Sequence, residues 1–542
     1  MTRMSLHLAA HGKAALSALF GVAALAASLA VSGQAVAQGQ PVRGGTLSMI
    51  LNPEPPVLVT GVNSASPVAG ISPKMFEGLV TYAPDFKMVP QLATSWEQSA
   101  DGKTVTFKLR PNVKWHDGKP FTSADVQYSF MEILKKVHSR GKATFLYLTA
   151  VDTPDPLTAI LRFSEPSPYA MRALAGLESP MMPKHIYEGS DPLKNPANVN
   201  PIGTGPFKFK EWVRGNYIML ERNPDYWDAG KPYLDALIFR IIPDGSARAV
   251  ALESGAVQYG SQYVVPLNDV ARLAKLPHLN VTTAGYEYNT SVNYMEFNLR
   301  RPYLQDRRVR QAIAHTINTD FLVKNVWFGY ATKATSPVTD KQKDFHTANI
   351  PQYPYDLKKA EALLDAAGYK KGADGIRFKL TIDWSPSGEM FRQTAELLRQ
   401  GLSRVGIAAE IRNADSPTYL RRVWTDNDFD INIYSASNIA DPVIGIQRFY
   451  WSKSIQKGVT YSNGSGYNNP EMDKILQAAQ VENDPAKRRK LYEDMQRLIM
   501  TDLPNMGLVY IQWFTIHDKK VKNLNTTGLG PYENFADVYM EK

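Results

Sequence analysis

The sequence predicts an α/β protein with mixed sheets and helices packed outside them. Three observations carry this. Strand-like and helix-like segments alternate through the second half of the chain. Hairpin-like segments with Asp-Gly turns fill part of the first half. The 542 residues, 44% of them apolar and 21% charged, are enough to bury a large core in several domains.

The elements follow in order. Gly45 to Leu51 reads as a first strand, followed by the loop Pro53-Glu54-Pro55-Pro56. Between Pro90 and Phe121, Val105, Phe107 and Leu109 alternate, with turn dipeptides at Asp101-Gly102 and Asp117-Gly118. Thr122 or Ser123 caps a helix running to about Leu134. Gly203 to Leu220 is β-rich, and a strand is expected near Leu237 to Ile242. Asp306 caps a helix carrying Val309, Ala312 and Ile313 on one face. Asp356 caps another, with Gly368 as its stop. Arg392 to Val405 is a helix leading into a strand at Ile407 to Ile411. Asp430 to Tyr434 reads as a short strand that delivers the polar loop Ser435 to Asp441. In open α/β sheets such a loop faces a ligand crevice. Asn469-Pro470 and Asp484-Pro485 are helix starts, and Leu508 to Ile516 is the last strand.

Residues 1–37 have the order of a secretory signal: Arg3 and Lys13, an apolar run from Ala14 to Val31, then Ala35-Val36-Ala37 before Gln38. The chain has no cysteine, so it has no disulfide and no lipid-attachment thiol. A soluble periplasmic protein, cleaved after Ala37 and not a lipoprotein, is expected. The net charge of +9 falls by two once Arg3 and Lys13 are removed, and the basic clusters are short, so nucleic-acid binding is not expected.

Catalytic and metal constellations were sought as well. The chain has no phosphate-cradling G-x-x-x-x-G-K-[ST], no G-x-S-x-G and no H-E-x-x-H. No two histidines beyond residue 37 lie within four residues of each other. No catalytic residue, metal site or cofactor is assigned. The tempting His116-Asp117 pair sits beside a hairpin turn and reads as structural.

Several runs together resemble a known family. They are Lys74 to Val80, Pro90 to Trp96, Ser99 to Gly102, Val113 to Phe121, Gly203 to Phe207, Glu221 to Trp227, Val309 to Ile313, Ala360 to Tyr369 and Asp441-Pro442. Their order resembles the family 5 extracellular solute-binding proteins, the dipeptide, oligopeptide and nickel-type receptors of ABC importers. The resemblance implies a bilobal type II periplasmic-binding-protein fold with an extra inserted α+β domain. Lobe I would combine 38–78, 200–288 and 515–542. The insertion would span 79–199, and lobe II 289–514. Crossings near Tyr286–Phe297 and Leu508–Ile516 would form the hinge. The expected partners are ABC permease subunits and a small ligand that is a peptide, an opine or an oligosaccharide-like solute. The protein is expected to be a monomer and not an enzyme; an exported hydrolase on a similar scaffold is the alternative.

Peptide-binding members hold the ligand ammonium with an Asp four residues before the Pro of the Asp-Pro loop, and carry a Trp shortly before it. Here those positions fall on Asn438 and Ser435, or on Ser437 and Tyr434 with one inserted residue. None is acidic, and an unpaired buried ammonium is costly. The expected ligand therefore presents a neutral polar end to this loop. Arg392 matches the carboxylate-holding Arg of dipeptide receptors, or is a surface residue in a first helical turn. Asp441 holds a cation or caps the turn before Pro442. Tyr434, Trp384 and Trp451 line the cleft or belong to the core.

Overall fold

The computed structural model describes residues 41–542; the expected signal segment lies outside the described residues. Three sheets organise the chain. The first has seven strands in the order Leu279–Thr282, Thr515–Asp518, Tyr259–Ser261, Thr46–Leu51, Ala236–Ile241, Tyr217–Arg222, Phe207–Val213. Thr46–Leu51 lies at its centre, parallel to both neighbours, with Leu47, Met49 and Leu51 packed on Phe239, Leu220 and Met75. The second has six strands in the order Ala331–Lys333, Asn505–Ile511, Asn289–Phe297, Ile431–Ile439, Phe378–Trp384, Ile407–Arg412. The third is a four-stranded antiparallel sheet, Ala93–Gln98, Thr104–Leu109, Thr158–Phe163, Leu148–Asp155. The mixed α/β character expected from the sequence is observed.

Many helix starts follow their capping signals. Thr122 and Asp125 form a reciprocal capping box over Ser123–Tyr128. Asp306, Asp356, Asn469 and Asp484 each accept a hydrogen bond from the first turn of the helix that follows. Gly368 takes φ +90° just beyond Leu357–Ala366, the left-handed turn that ends a helix.

Two expectations on strands are corrected. The segment Leu508 to Ile516 is two strands in two different sheets, Asn505–Ile511 and Thr515–Asp518, with Gln512 to Phe514 between them. Likewise Leu279–Thr282 belongs to the seven-stranded sheet and the next strand, Asn289–Phe297, to the six-stranded one. The chain thus passes between the sheets in two short, neighbouring stretches. Second, the strand expected to end at Tyr434 runs on to Ile439. Asn289–Phe297 pairs with its full length, while Phe378–Trp384 pairs only with Ile431 to Ile433, so it is the first ladder that overrides the weak strand propensity of Ser435, Ser437 and Asn438.

The resemblance-bearing motifs converge on one place. Glu77 is buried and accepts hydrogen bonds from Tyr226 Oη (2.7 Å), Trp227 Nε1 (2.9 Å), Thr204 Oγ1 (3.1 Å), Gln91 Nε2 (3.3 Å) and Asn534 Nδ2 (3.3 Å). Burial lifts its carboxyl to about 7 against the pull of these donors. His116 bridges the neighbouring turn: Gly203 N donates to its Nδ1 (3.1 Å), and its Nε2 faces Gly205 O (3.0 Å). Gly205 N donates to Met75 O (2.8 Å). A Cβ on Gly203 would lie 1.9 Å from Met75 O, so only glycine permits this approach. The structural reading of His116 agrees with these contacts.

Candidate ligand-binding cleft

The extended strand decides which of the expected residues share a face. Side chains alternate along a strand, so Tyr434, Ala436 and Asn438 lie on one side and Ser435 and Ser437 on the other. The stretch expected as a loop is thus a strand to Ile439, on which Ser435 and Ser437 point away from Tyr434 and Asn438. Tyr434 pairs in register with Tyr294, ring centroids 5.8 Å apart, and both face Phe449 at 6.4 and 5.8 Å. Trp424 stands edge-on to Tyr434 at 5.9 Å, with Tyr461 4.8 Å from Trp424. Asn438 is fully buried and donates to Pro337 O (2.8 Å). Its Oδ1 lies within reach of the Tyr294 hydroxyl, and neither atom has any other partner. Ser435 and Ser437 are half-buried opposite Asn293 and Ser291.

Segments that flank the four-stranded sheet pack beside this aromatic face. Val105, Phe107, Leu161 and Tyr169 belong to the same continuous apolar cluster as Tyr294, Tyr434 and Phe449. The short helix Gly141–Thr144 packs on Pro442–Gly445. Arg172 pairs with Asp344 (2.6 Å), and Tyr147 Oη donates to Gln480 Oε1 (3.2 Å). The two sides are closed on one another. Facing the aromatic side is a bidentate pair, Arg140 to Glu178, with both contacts at 2.7 Å.

The remaining expected residues fall elsewhere. Asp441 caps Pro442–Gly445 through Val443 N (3.0 Å) and is held by Arg488 in two contacts of 2.7 and 2.9 Å, with both side chains buried. Its charge is already matched, which corrects its reading as a holder of a ligand cation. Arg392 lies in the first turn of Glu389–Arg404, exposed and paired with Glu389. It borders a groove with Arg399, Glu410 and Asn413, and Asn413 accepts from Trp384 Nε1 (3.0 Å). Among the described residues, no contact joins Arg392 or Trp384 to Tyr434 or Asn438. Trp451 is half-buried against the aromatic cluster, with its indole N–H unpartnered.

Sequence reasoning missed Tyr294, Trp424, Tyr461 and above all Arg448. Arg448 sits between Gln447 and Phe449, near Tyr294, Tyr434 and Arg140. The run Gln447 to Trp451, a base among aromatics just after the Asp-Pro turn, was the available signal. Among the described residues no group of His, Asp and Glu is arranged to hold a metal ion, and no helix is long and apolar enough to cross a membrane.

Comparison with known proteins agrees with this architecture. The family model for bacterial extracellular solute-binding proteins, family 5, matches residues 87–458. A Brucella ovis protein named as an ABC transporter peptide-binding protein is 33% identical over 475 residues, covering 84% of this chain and 86% of its own. The periplasmic binding protein DppA of Helicobacter pylori, solved with the peptide STSA, is 27% identical. It superposes with a TM-score of 0.78 over 92% of this chain and 99% of its own. The binding protein AgaA of A. tumefaciens R10, solved with agropinic acid, is 26% identical with a TM-score of 0.75, over 92% of this chain and 99% of its own. The type II periplasmic-binding-protein fold is shared with these structures. Members of this family are binding proteins rather than enzymes, and they work in the periplasm or outside the cell. The chain belongs to the bacterial extracellular solute-binding proteins of family 5 and acts as the substrate-binding receptor of an ABC transporter.

Proposed function

We infer that this receptor captures a small polar solute against Tyr294, Tyr434 and Asn438, and that the solute offers this wall neutral polar groups, not a free ammonium. The observation that carries the reading is the buried polar pair Asn438 and Tyr294 on one face, with no partner but each other and with spare acceptor capacity on both oxygens. Buried polar atoms need partners, and a ligand hydroxyl, amide or carbonyl supplies them. The carboxylate opposite, Glu178, is engaged by Arg140 and is poorly placed to neutralise a ligand amine. Peptides with blocked amino groups, opines and oligosaccharides fit this description better than ordinary dipeptides.

The two chain passages, 283–288 and 512–514, serve as the hinge in this reading. Lobe I comprises 38–78, 200–288 and 515–542, the insertion 79–199 and lobe II 289–514. Closure is a population shift driven by contacts that the ligand makes only when both sides meet. Export with cleavage after Ala37, without a lipid, leaves a free periplasmic monomer that docks on its permease. No observation favours the hydrolase alternative.

Titration calorimetry with free dipeptides, their N-acetyl forms, opines and oligosaccharides tests the reading, alongside small-angle scattering for closure. Binding by N-acetyl peptides or other amine-free solutes, with compaction and no turnover, is expected. Tight binding of free dipeptides that is lost on acetylation would overturn it. N-terminal sequencing of the periplasmic form should begin near Gln38.

A further inference from the structure

The interior arginines of this protein are nearly all matched. Arg488 faces Asp441, Arg140 faces Glu178, and Arg412 and Arg422 share the buried Asp383. Arg310 is wrapped by the carbonyls of Leu304, Gln305, Asp502 and Leu503, and Arg248 by those of Ile242, Pro243 and Val264. Arg448 breaks the rule. It has no ion pair among the described residues, and its Nε is enclosed without a hydrogen-bond partner. Its guanidinium lies 4.8 Å from the Phe449 ring centroid, beside the Tyr294 and Tyr434 rings. Across the closed interface it meets a second cation, Arg140, whose charge is spent on Glu178. Burial, and then the Arg140 charge, lower its pKa to about 10, which still leaves it charged at neutral pH.

A charged fork without an ion pair, beside an aromatic wall and with the one nearby carboxylate, Glu178, already engaged by Arg140, is an arrangement that wants an anion. Neither the aromatic cage nor the neighbouring Arg140 gives Arg448 a structural task. We propose that Arg448 is the anion-holding residue of the cleft and grips a carboxylate of the solute, while Asn438 and Tyr294 take its neutral polar groups. This rests on the receptor reading above and adds the sign and place of the ligand's charge. Arg392, exposed and paired with Glu389, is then not the carboxylate-holding group.

The test uses the full mature protein, stripped of co-purified solute by denaturation and refolding, and two probes: N-acetyl-alanyl-alanine and its C-terminal amide. The wild type should bind the acid about 10- to 100-fold more tightly than the amide, the worth of one charge-assisted bidentate contact. Arg448→Met should abolish that preference. Arg448→Lys should keep the preference at reduced affinity, since it retains the charge but loses the fork. A readout independent of any ligand accompanies these: removing an unmatched enclosed charge should raise the melting temperature of stripped Arg448→Met by about 2 °C or more. Equal binding of acid and amide, binding of neither at millimolar concentration, a preference that survives Arg448→Met, or a lowered melting temperature would each overturn the proposal. A neutral or cationic solute found by native mass spectrometry, with closure intact, would refute Arg448's role alone. Failure of every solute to close the protein would refute the receptor reading itself.

Discussion

Replacing Asp441 by asparagine separates two accounts of the residue that the sequence left open. The substitution keeps the side-chain oxygen that accepts from Val443 N, so the cap on Pro442–Gly445 survives. What it removes is the charge matched to Arg488 through two contacts of 2.7 and 2.9 Å, with both side chains nearly inaccessible. Arg488 also donates to Ala479 O and the Tyr492 hydroxyl, so it stays anchored with its charge uncompensated. Breaking a buried pair from one side costs about 3–5 kcal/mol. For a chain of this size that is a fall of about 4 °C in melting temperature. Adding Arg488→Met removes the stranded charge and should restore most of the loss. Scanning calorimetry of the two variants measures both effects, with solute affinity followed in parallel. An Asp441→Asn protein that melts like wild type but no longer binds its solute would refute the argument and return Asp441 to the ligand.

Further outcomes follow from other contacts. His116 is held neutral by Gly203 N–H on Nδ1 and Gly205 O at Nε2, with its pKa lowered to about 4 chiefly by burial. The unfolded chain takes up the proton first, so this contribution is full above about pH 6.5 and is lost as the pH falls toward 4, about 2 kcal/mol by pH 5. His116→Gln should lack that acid-side loss in denaturant titrations at pH 7 and pH 5, and parallel slopes for both proteins would contradict it. Arg392→Ala removes an exposed pair with Glu389 and should leave the melting temperature and the solute affinity by calorimetry essentially unchanged. Gly203→Ala forces a Cβ onto Met75 O and should cost about 3 kcal/mol in denaturant unfolding.

The local features of the fold were readable because their causes are local. Asp306, Asp356, Asn469 and Asp484 cap helices by reaching two or three residues along their own chain. The sequence reads Ser435 to Asp441 as a loop because its Ser and Asn residues are poor strand formers, and only pairing with Asn289–Phe297, more than 130 residues away, makes Ser435 to Ile439 a strand. The strand-like run Leu508 to Ile516 hides the break at Gln512 to Phe514, since local pattern does not say which sheet a residue joins. Arg448 was invisible for the same reason: nothing nearby in sequence tells an unmatched enclosed cation from a solvated one. Asn438, by contrast, is singled out by its spacing from Pro442, and the structure buries it beside Tyr294.

The meeting of Glu77, His116, Gly203, Gly205, Tyr226 and Trp227 has a consequence for how such receptors diversify. These are the residues by which the lineage is recognised, yet none of their hydrogen bonds involves Tyr294, Tyr434 or Arg448. Selection to keep the chain folded therefore acts on one set of positions, and selection on diet acts on another. On the proposed assignment of the cleft, a descendant that exchanges Asn438 or Arg448 changes its nutrient without loosening this knot. The badge of kinship and the choice of cargo are inherited separately, which is why receptors solved with a peptide and with agropinic acid superpose on the same chain.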